Sequence, residues 1–181
     1  MSAVAGAPAR GGDDRVRHHL VALLVENKAG VLARIAGLFS RRGFNIFSLA
    51  VAPTHDPRFS RVSIVVDVES APLQQVVDQL DKLVNVVEIT ELHPDDAREA
   101  ELLLVTVSVD EDDRAEVEAL ASAGGGSVVD AVPGAVTVML AADPAVVDDF
   151  EDAMREHGIV ELQRTGRIAL PKLSADGASG A

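Results

Sequence analysis

Six consecutive residues, Leu20 to Val25, are apolar without a polar interruption. So short a run, closed by turn residues, is a strand buried on both faces, and it demands a layer of protein on each side. The run ends in Glu26-Asn27-Lys28-Ala29-Gly30, a turn rich in Asn and Gly. Val31, Leu32, Ile35, Leu38 and Phe39 then recur at helical spacing, with Arg34, Ser40 and Arg41 on the other side, so an amphipathic helix is expected from Val31 to Arg42. A second turn, Arg42-Gly43-Phe44-Asn45, leads into another apolar run, Ile46 to Val51.

Continued along the chain, the same reasoning gives strands Asn45 to Pro53 and Phe59 to Val68, a helix Pro72 to Lys82 and a strand Val84 to Leu92. Ser70 can cap that second helix, Pro72 suits its first turn, and Leu73, Val76, Val77 and Leu80 make its buried stripe. The order is βαββαβ. It recurs in the second half as strand Leu102 to Val109, helix Asp113 to Ala123, strands Ser127 to Val132 and Ala135 to Ala141, helix Pro144 to Glu156 and strand Ile159 to Leu170. Asp143-Pro144 supplies cap-and-proline chemistry again, followed by Val146, Val147, Phe150 and Met154. The fold class is therefore α+β, two tandem ferredoxin-like sandwiches. His93-Pro94-Asp95-Asp96 marks their junction. The expected organisation is a flexible tail over 1–17, a first domain over 18–92, a linker over 93–100, a second domain over 101–171 and a disordered tail over 172–181.

Composition removes several functions. Aromatic residues are 3% of the chain, with no Trp or Tyr, and the formal net charge is −13. Base stacking and phosphate contact both fail under those conditions, so nucleic acid is excluded as a partner. Without cysteine there is no disulfide, thiolate metal site or thiol nucleophile. No apolar run reaches membrane-spanning length, and Met1 to Asp14 lacks the apolar core of a secretory signal, so a cytoplasmic location is expected. The charge is uneven: residues 1–92 hold ten Lys/Arg against ten Asp/Glu, and residues 93–181 hold six against nineteen.

The start of the first helix is the candidate binding site. Its first N–H groups lack carbonyl partners and carry the positive end of the helix dipole, so a carboxylate can sit there, and Gly30 permits close approach. The strand Asn45 to Pro53 is apolar on both alternations and needs a cover, which a two-fold dimer would supply by sheet extension or face packing. Other motifs have plainer readings. His18 and His19 lack a third ligand at metal spacing and read as a solvated pair beside the tail. Asp110-Glu111-Asp112-Asp113 lacks the spacing and glycine of a calcium loop and reads as an exposed, capped helix start. Gly124-Gly125-Gly126-Ser127 lacks the lysine of a phosphate loop and reads as a flexible turn. Asn27 and Gly30 are also what an ordinary turn would use, and Asn45 could simply cap one. No catalytic constellation stands out.

Val25-Glu26-Asn27-Lys28-Ala29-Gly30, Val31 to Ile35, Leu38-Phe39, Arg42-Gly43-Phe44-Asn45-Ile46, Ser48-Leu49, Val51-Ala52-Pro53-Thr54 and Ser60-Arg61 together resemble the regulatory small subunit of acetolactate synthase, whose first domain is an ACT domain. The similarity continues through Leu80 to Val86 and Arg164 to Leu170. What the resemblance implies is a non-catalytic homodimer, joined through its ACT domains. It would activate a large catalytic subunit that carries thiamine diphosphate, magnesium and FAD, and pass on feedback inhibition by valine. A free-standing ACT amino-acid sensor and a small autonomous enzyme on the same scaffold are the alternatives. By that resemblance Asn27, Lys28, Ala29, Gly30, Val31 and Leu32 form the valine-binding turn. The N–H groups of Gly30, Val31 and Leu32 would hold the carboxylate and the Asn27 amide oxygen would meet the ammonium. Asn45 and Ile46 of the other chain would complete the pocket, with Ile46 facing the isopropyl group. Phe47, where many members carry an acidic or small residue, and Pro171-Lys172, in place of Arg-Gly, depart from the family pattern.

Overall fold

Strand β1 (His18–Glu26) carries the apolar run, and its side chains enter two different cores, as a strand covered on both faces must. Val21, Leu23 and Val25 face a helix layer, while Leu20 and Ala22 face a second cluster on the other side. The computed structural model describes residues 18–67 and 73–173 of the chain. Ser70, Pro72 and the tails over 1–17 and 174–181 lie outside the described residues. The chain divides into two units; of the described residues, 18–102 and 164–173 make the first and 103–163 the second.

In the first unit, β1 is followed by helix α1 (Val31–Arg42), strands β2 (Ile46–Pro53) and β3 (Phe59–Asp67), helix α2 (Leu73–Leu80) and strand β4 (Val86–Leu92). The sheet order is β2-β3-β1-β4, with every described pair antiparallel, as the βαββαβ pattern predicts. Val31, Ile35, Leu38 and Phe39 of α1 and Val76 and Leu80 of α2 are buried against one sheet face. Full burial of a side chain such as Ile35 or Leu80 contributes about 1.5–3 kcal/mol. Leu32, expected in the stripe, is 42% exposed, because it lies in the first turn, on the side of the helix away from the core. α1 stops where Gly43 adopts φ +70° and its N–H reaches the carbonyls of Phe39 and Ser40.

The part of the opposite sheet face around Leu20 and Ala22 is covered by the chain itself. Strand β5 (Ala97–Ser108) begins inside the segment expected as a linker, and its residues Ala97 to Ala100 pair with strand β9 (Ile168–Pro171). Ala97 and Ala169 close over Leu20, Ala22, Val65 and Leu92, with Phe47 at the side, where its ring stacks on His18 at 3.8 Å, so His18 is buried rather than solvated. The strand expected over Ile159 to Leu170 is therefore two strands, β8 (Ile159–Arg164) and β9, with the break at Thr165 to Arg167. Gly166 has φ +82°, a conformation side chains resist, and it lies so close to β2 that a Cβ there would sit 2.7 Å from Ser48 Oγ. Lys172, assigned to a disordered tail, donates its N–H to the Asp96 carbonyl at 2.7 Å.

The second unit has the sheet order β6-β7-β5-β8, with helices α3 (Glu111–Ala123) and α4 (Pro144–Glu156) and strands β6 (Ser127–Val132) and β7 (Ala135–Ala142). Its core includes Leu103, Val105, Val117, Val138, Leu140, Phe150 and Met154. Asp143 accepts the Ala145 N–H at 3.0 Å and Pro144 opens α4. The buried stripe there is Pro144, Val147, Phe150 and Met154; Val146, expected within it, is exposed. Asp110 caps α3 by accepting the Asp113 N–H at 2.9 Å. The glycine run after α3 is a built stop rather than a loose turn. The Gly126 N–H reaches the Ala121 carbonyl at 2.7 Å and the Gly125 N–H that of Ser122 at 3.1 Å, the double bond of a Schellman cap. No helix among the described residues is long and apolar enough to cross a membrane.

Candidate functional site

Between β1 and α1 the backbone turns through Gly30 at φ +83°, and this residue occupies the N-cap position without any side-chain cap. Nothing lies within 4 Å of where its Cβ would be. The glycine therefore serves its backbone angle and leaves open space in front of the helix start. Among the described residues the N–H groups of Gly30, Leu32 and Ala33 make no hydrogen bond, and they converge at the positive end of the α1 dipole. The Val31 N–H, expected among the carboxylate donors, is instead directed to the Lys28 carbonyl at 3.3 Å. The turn closes on itself there, and Ala33 supplies a free donor the sequence reading left out.

Asn27 is held firmly. Its N–H donates to the Arg58 carbonyl at 2.7 Å and its amide nitrogen to the Pro57 carbonyl at 3.0 Å. The nitrogen being engaged, the amide oxygen is the end left to accept from an ammonium group. Lys28 turns away to Glu26, Nζ to Oε1 2.9 Å, while the Asn85 amide donates to the other Glu26 oxygen at 2.5 Å. The Lys28 bond, then the Asn85 bond, hold the Glu26 carboxyl below its ordinary pKa. Arg34 completes the chain of contacts by donating to Asn85 Oδ1 at 2.7 Å. Asn85 thus ties the site to the segment ahead of β4; the sequence offered no local signal for it, because its partners are 51 and 59 residues away.

Asn45 and Ile46 do not join Asn27 and Gly30 within one chain. Ile46 stands opposite Val66, which stands opposite His19, whereas Phe59 stands opposite Glu26. Seven residues of β3 separate the two levels, about 23 Å at the rise of an extended strand. Asn45 is exposed, and Ile46 packs partly against the helix-side core. β2 is an edge of its sheet.

A buried polar cluster lies behind β2. Arg167 and Glu101 are 5% and 4% exposed, with Arg167 Nε 3.6 Å from Glu101 Oε1; Arg164 also donates to Glu101, and Glu99 is 3.9 Å from the Arg167 guanidinium. The Arg167 guanidinium lies 5.5 Å from the Phe47 ring centre, and the Arg167 N–H donates to Ser48 Oγ at 2.8 Å. Two cations and two carboxylates balance, which is what allows the cluster to stay buried. Phe47, the residue that departs from the family pattern, is thus the apolar wall of a charge cluster. The alternate spacing of Glu99 and Glu101 in one strand was the available sequence signal, since such residues share a face.

Two family models match this chain: one described as the AHAS small subunit-like ACT domain over residues 21–88, and one as the small subunit of acetolactate synthase over residues 100–173. A probable acetolactate synthase small subunit of Archaeoglobus fulgidus is 41% identical over 152 residues, covering 84% of this chain and 95% of that protein. The acetolactate synthase small subunit of Mycolicibacterium smegmatis is 38% identical over 154 residues, covering 85% and 91%. Among solved structures, the acetolactate synthase small subunit from Thermotoga maritima superposes with a TM-score of 0.79 at 33% identity, covering 87% of this chain and 99% of that one. An ACT-type unit with an open helix start, followed by a second ferredoxin-like unit, in a sequence matched over nearly its whole length, places this chain in the acetolactate synthase small-subunit family.

Proposed function

We propose that this chain is a regulatory subunit that binds and activates the thiamine-diphosphate-dependent catalytic subunit of acetolactate synthase and makes that enzyme sensitive to valine. The catalytic partner joins two pyruvates to give acetolactate, or pyruvate with 2-oxobutyrate to give acetohydroxybutyrate, using its own thiamine diphosphate, magnesium and FAD, in the cytoplasm. The observation that carries the effector assignment is the helix start itself. Three free N–H groups, an oriented amide oxygen and an open left-handed glycine offer an α-amino acid a place for its carboxylate and its ammonium.

A second copy is needed to complete that pocket. If edge strand β2 pairs antiparallel with its copy about an axis near Leu49 and Ala50, Ile46 of the partner subunit comes opposite Pro53. Pro53 is at the sheet end that carries Asn27, since it faces Ser60 and Ser60 faces Val25. The 23 Å gap within one chain is then closed by the symmetry of the pair. Regulation follows by linkage: valine binds more tightly to the dimer state that holds the catalytic subunit less active, and a coupling of about 1–3 kcal/mol gives a several-fold to hundred-fold effect. Leucine and isoleucine act more weakly, by an amount set by about 0.8 kcal/mol per methylene.

The test is Gly30→Asp beside Gly30→Asn. Both side chains tolerate a positive φ, and only one adds a carboxylate beside the ligand carboxylate. Like charges about 4 Å apart repel by about 4 kcal/mol near a protein surface, so the Asp variant is expected to lose valine binding by a hundred-fold or more while activation persists. Valine inhibition that survives in Gly30→Asp would remove the pocket from this turn.

A further inference from the structure

We propose that the helix-free face of the first unit carries a second recognition surface, a groove that docks an acidic, apolar-flanked peptide segment of the catalytic subunit through Arg61 and Arg98. This rests on the regulatory-subunit reading and goes beyond it by assigning the contact surface. The groove has a volume of about 1080 Å³ and is lined entirely by residues of the first unit. Leu24, Ala50, Ala52 and Ala100 contribute small or apolar floor, and Ile168 and Leu170 stand beside it at 55% and 61% exposure.

The charges decide the partner. Six of the thirteen described Lys and Arg side chains pair with carboxylates: Lys28 with Glu26, Arg58 with Asp56, Arg114 with Glu118, Arg155 with Glu151, and both Arg164 and Arg167 with Glu101. Arg61 and Arg98 have no ion pair or side-chain hydrogen bond among the described residues, and both line the groove. The one carboxylate in the lining, Asp56, accepts from Arg58 through both oxygens, at 3.0 and 2.5 Å. A chain with net charge −13 therefore presents two uncompensated guanidiniums over an apolar floor. Guanidiniums so placed fit carboxylates in a bidentate manner.

The groove is larger than the usual range for small ligands, about 300–1,000 Å³, and suits several residues of extended chain. A second copy of this protein is a poor occupant: a two-fold contact presents the patch to itself and would gather four guanidiniums with no free carboxylate between them. Edge pairing of β2 uses its backbone and leaves this face open. A carboxylate-bearing segment of the catalytic subunit satisfies both the charge and the floor.

The experiment compares Arg98→Glu, at an exposed position, and the milder pair Arg61→Gln with Arg98→Gln against the unaltered chain. Association with the catalytic subunit is measured by sedimentation across a salt series, with valine affinity and mass of the small subunit alone as controls. Arg98→Glu is expected to weaken association at least tenfold and the double variant several-fold, each with a flatter salt dependence, and with valine affinity and mass unchanged. Association within twofold of the unaltered chain in both variants would overturn this docking alone, as would a change in self-association with association to the catalytic subunit intact. An unaltered chain that never associates would overturn the regulatory reading and the docking with it.

Discussion

Gly30 and Gly166 have nearly the same backbone angle, φ +83° and +82°, in opposite surroundings, and substituting each by alanine separates strain from crowding. A Cβ at either position meets the intrinsic penalty of the left-handed region, about 1–2 kcal/mol. At Gly30 nothing lies within 4 Å, so that penalty is the whole effect. At Gly166 the new carbon would stand 2.7 Å from Ser48 Oγ and 3.2 Å from the Leu49 carbonyl oxygen. Ser48 cannot rotate away freely, because its hydroxyl accepts the Arg167 N–H, a bond worth about 1 kcal/mol. Crowding of this kind costs a further 1–3 kcal/mol or so. Gly166→Ala should therefore destabilise the first unit by about 2–5 kcal/mol and Gly30→Ala by about 1–2 kcal/mol. The assay is amide exchange of β1 in low urea, which reports the opening of the unit that holds both glycines. Equal losses at the two positions would refute the close packing of the Thr165 to Arg167 segment on β2.

Two other perturbations follow from charge. The Asp56 carboxyl is lowered to about 2, first by the Arg58 side-chain bond and then by the Arg58 backbone N–H, so its folded value lies below the ordinary carboxylate value of about 3.9. Its contribution to stability is complete above the unfolded value and disappears as pH falls through about 2. Arg58→Ala should return the titration toward the ordinary value, read by carbon NMR of the carboxyl, and an unmoved midpoint would show that Arg58 is not the cause. Glu101→Gln leaves Arg167 buried without its nearest carboxylate and should cost about 3–5 kcal/mol in the same exchange assay, with a loss under 1 kcal/mol counting against the buried cluster.

Much of this architecture was legible because local signals agreed with the tertiary outcome. The run Leu20 to Val25 announced a strand with two covered faces, and helices α1 and α4 took the ranges that helical spacing, the flanking glycine turns of α1 and the Asp143-Pro144 start of α4 implied. The cover on the helix-free face was not legible. Ala97 to Ala100 is a strand whose residues are small or charged, so it has no alternation of large apolar groups, and its pairing with Ile168 to Pro171 depends on contacts about 70 residues away. The split between β8 and β9 depends on Gly166, which reads as an isolated glycine within a strand-like stretch until its neighbours on β2 are known. At the helix start, Asn27 and Gly30 were readable from turn chemistry, whereas the loss of the Val31 N–H to Lys28 is a detail of turn closure that no residue type dictates. Arg61 and Arg98 acquire meaning only when the fold sets them over one groove.

The central claim is that this chain controls a catalytic subunit and does so through valine. The most direct measurement is acetolactate formation from pyruvate by the catalytic subunit of the same organism, with and without this chain, across a valine titration. The account predicts a faster reaction when the chain is added and inhibition by valine that requires it. An unchanged rate and an unchanged valine response would contradict it and leave an amino-acid sensor for some other partner.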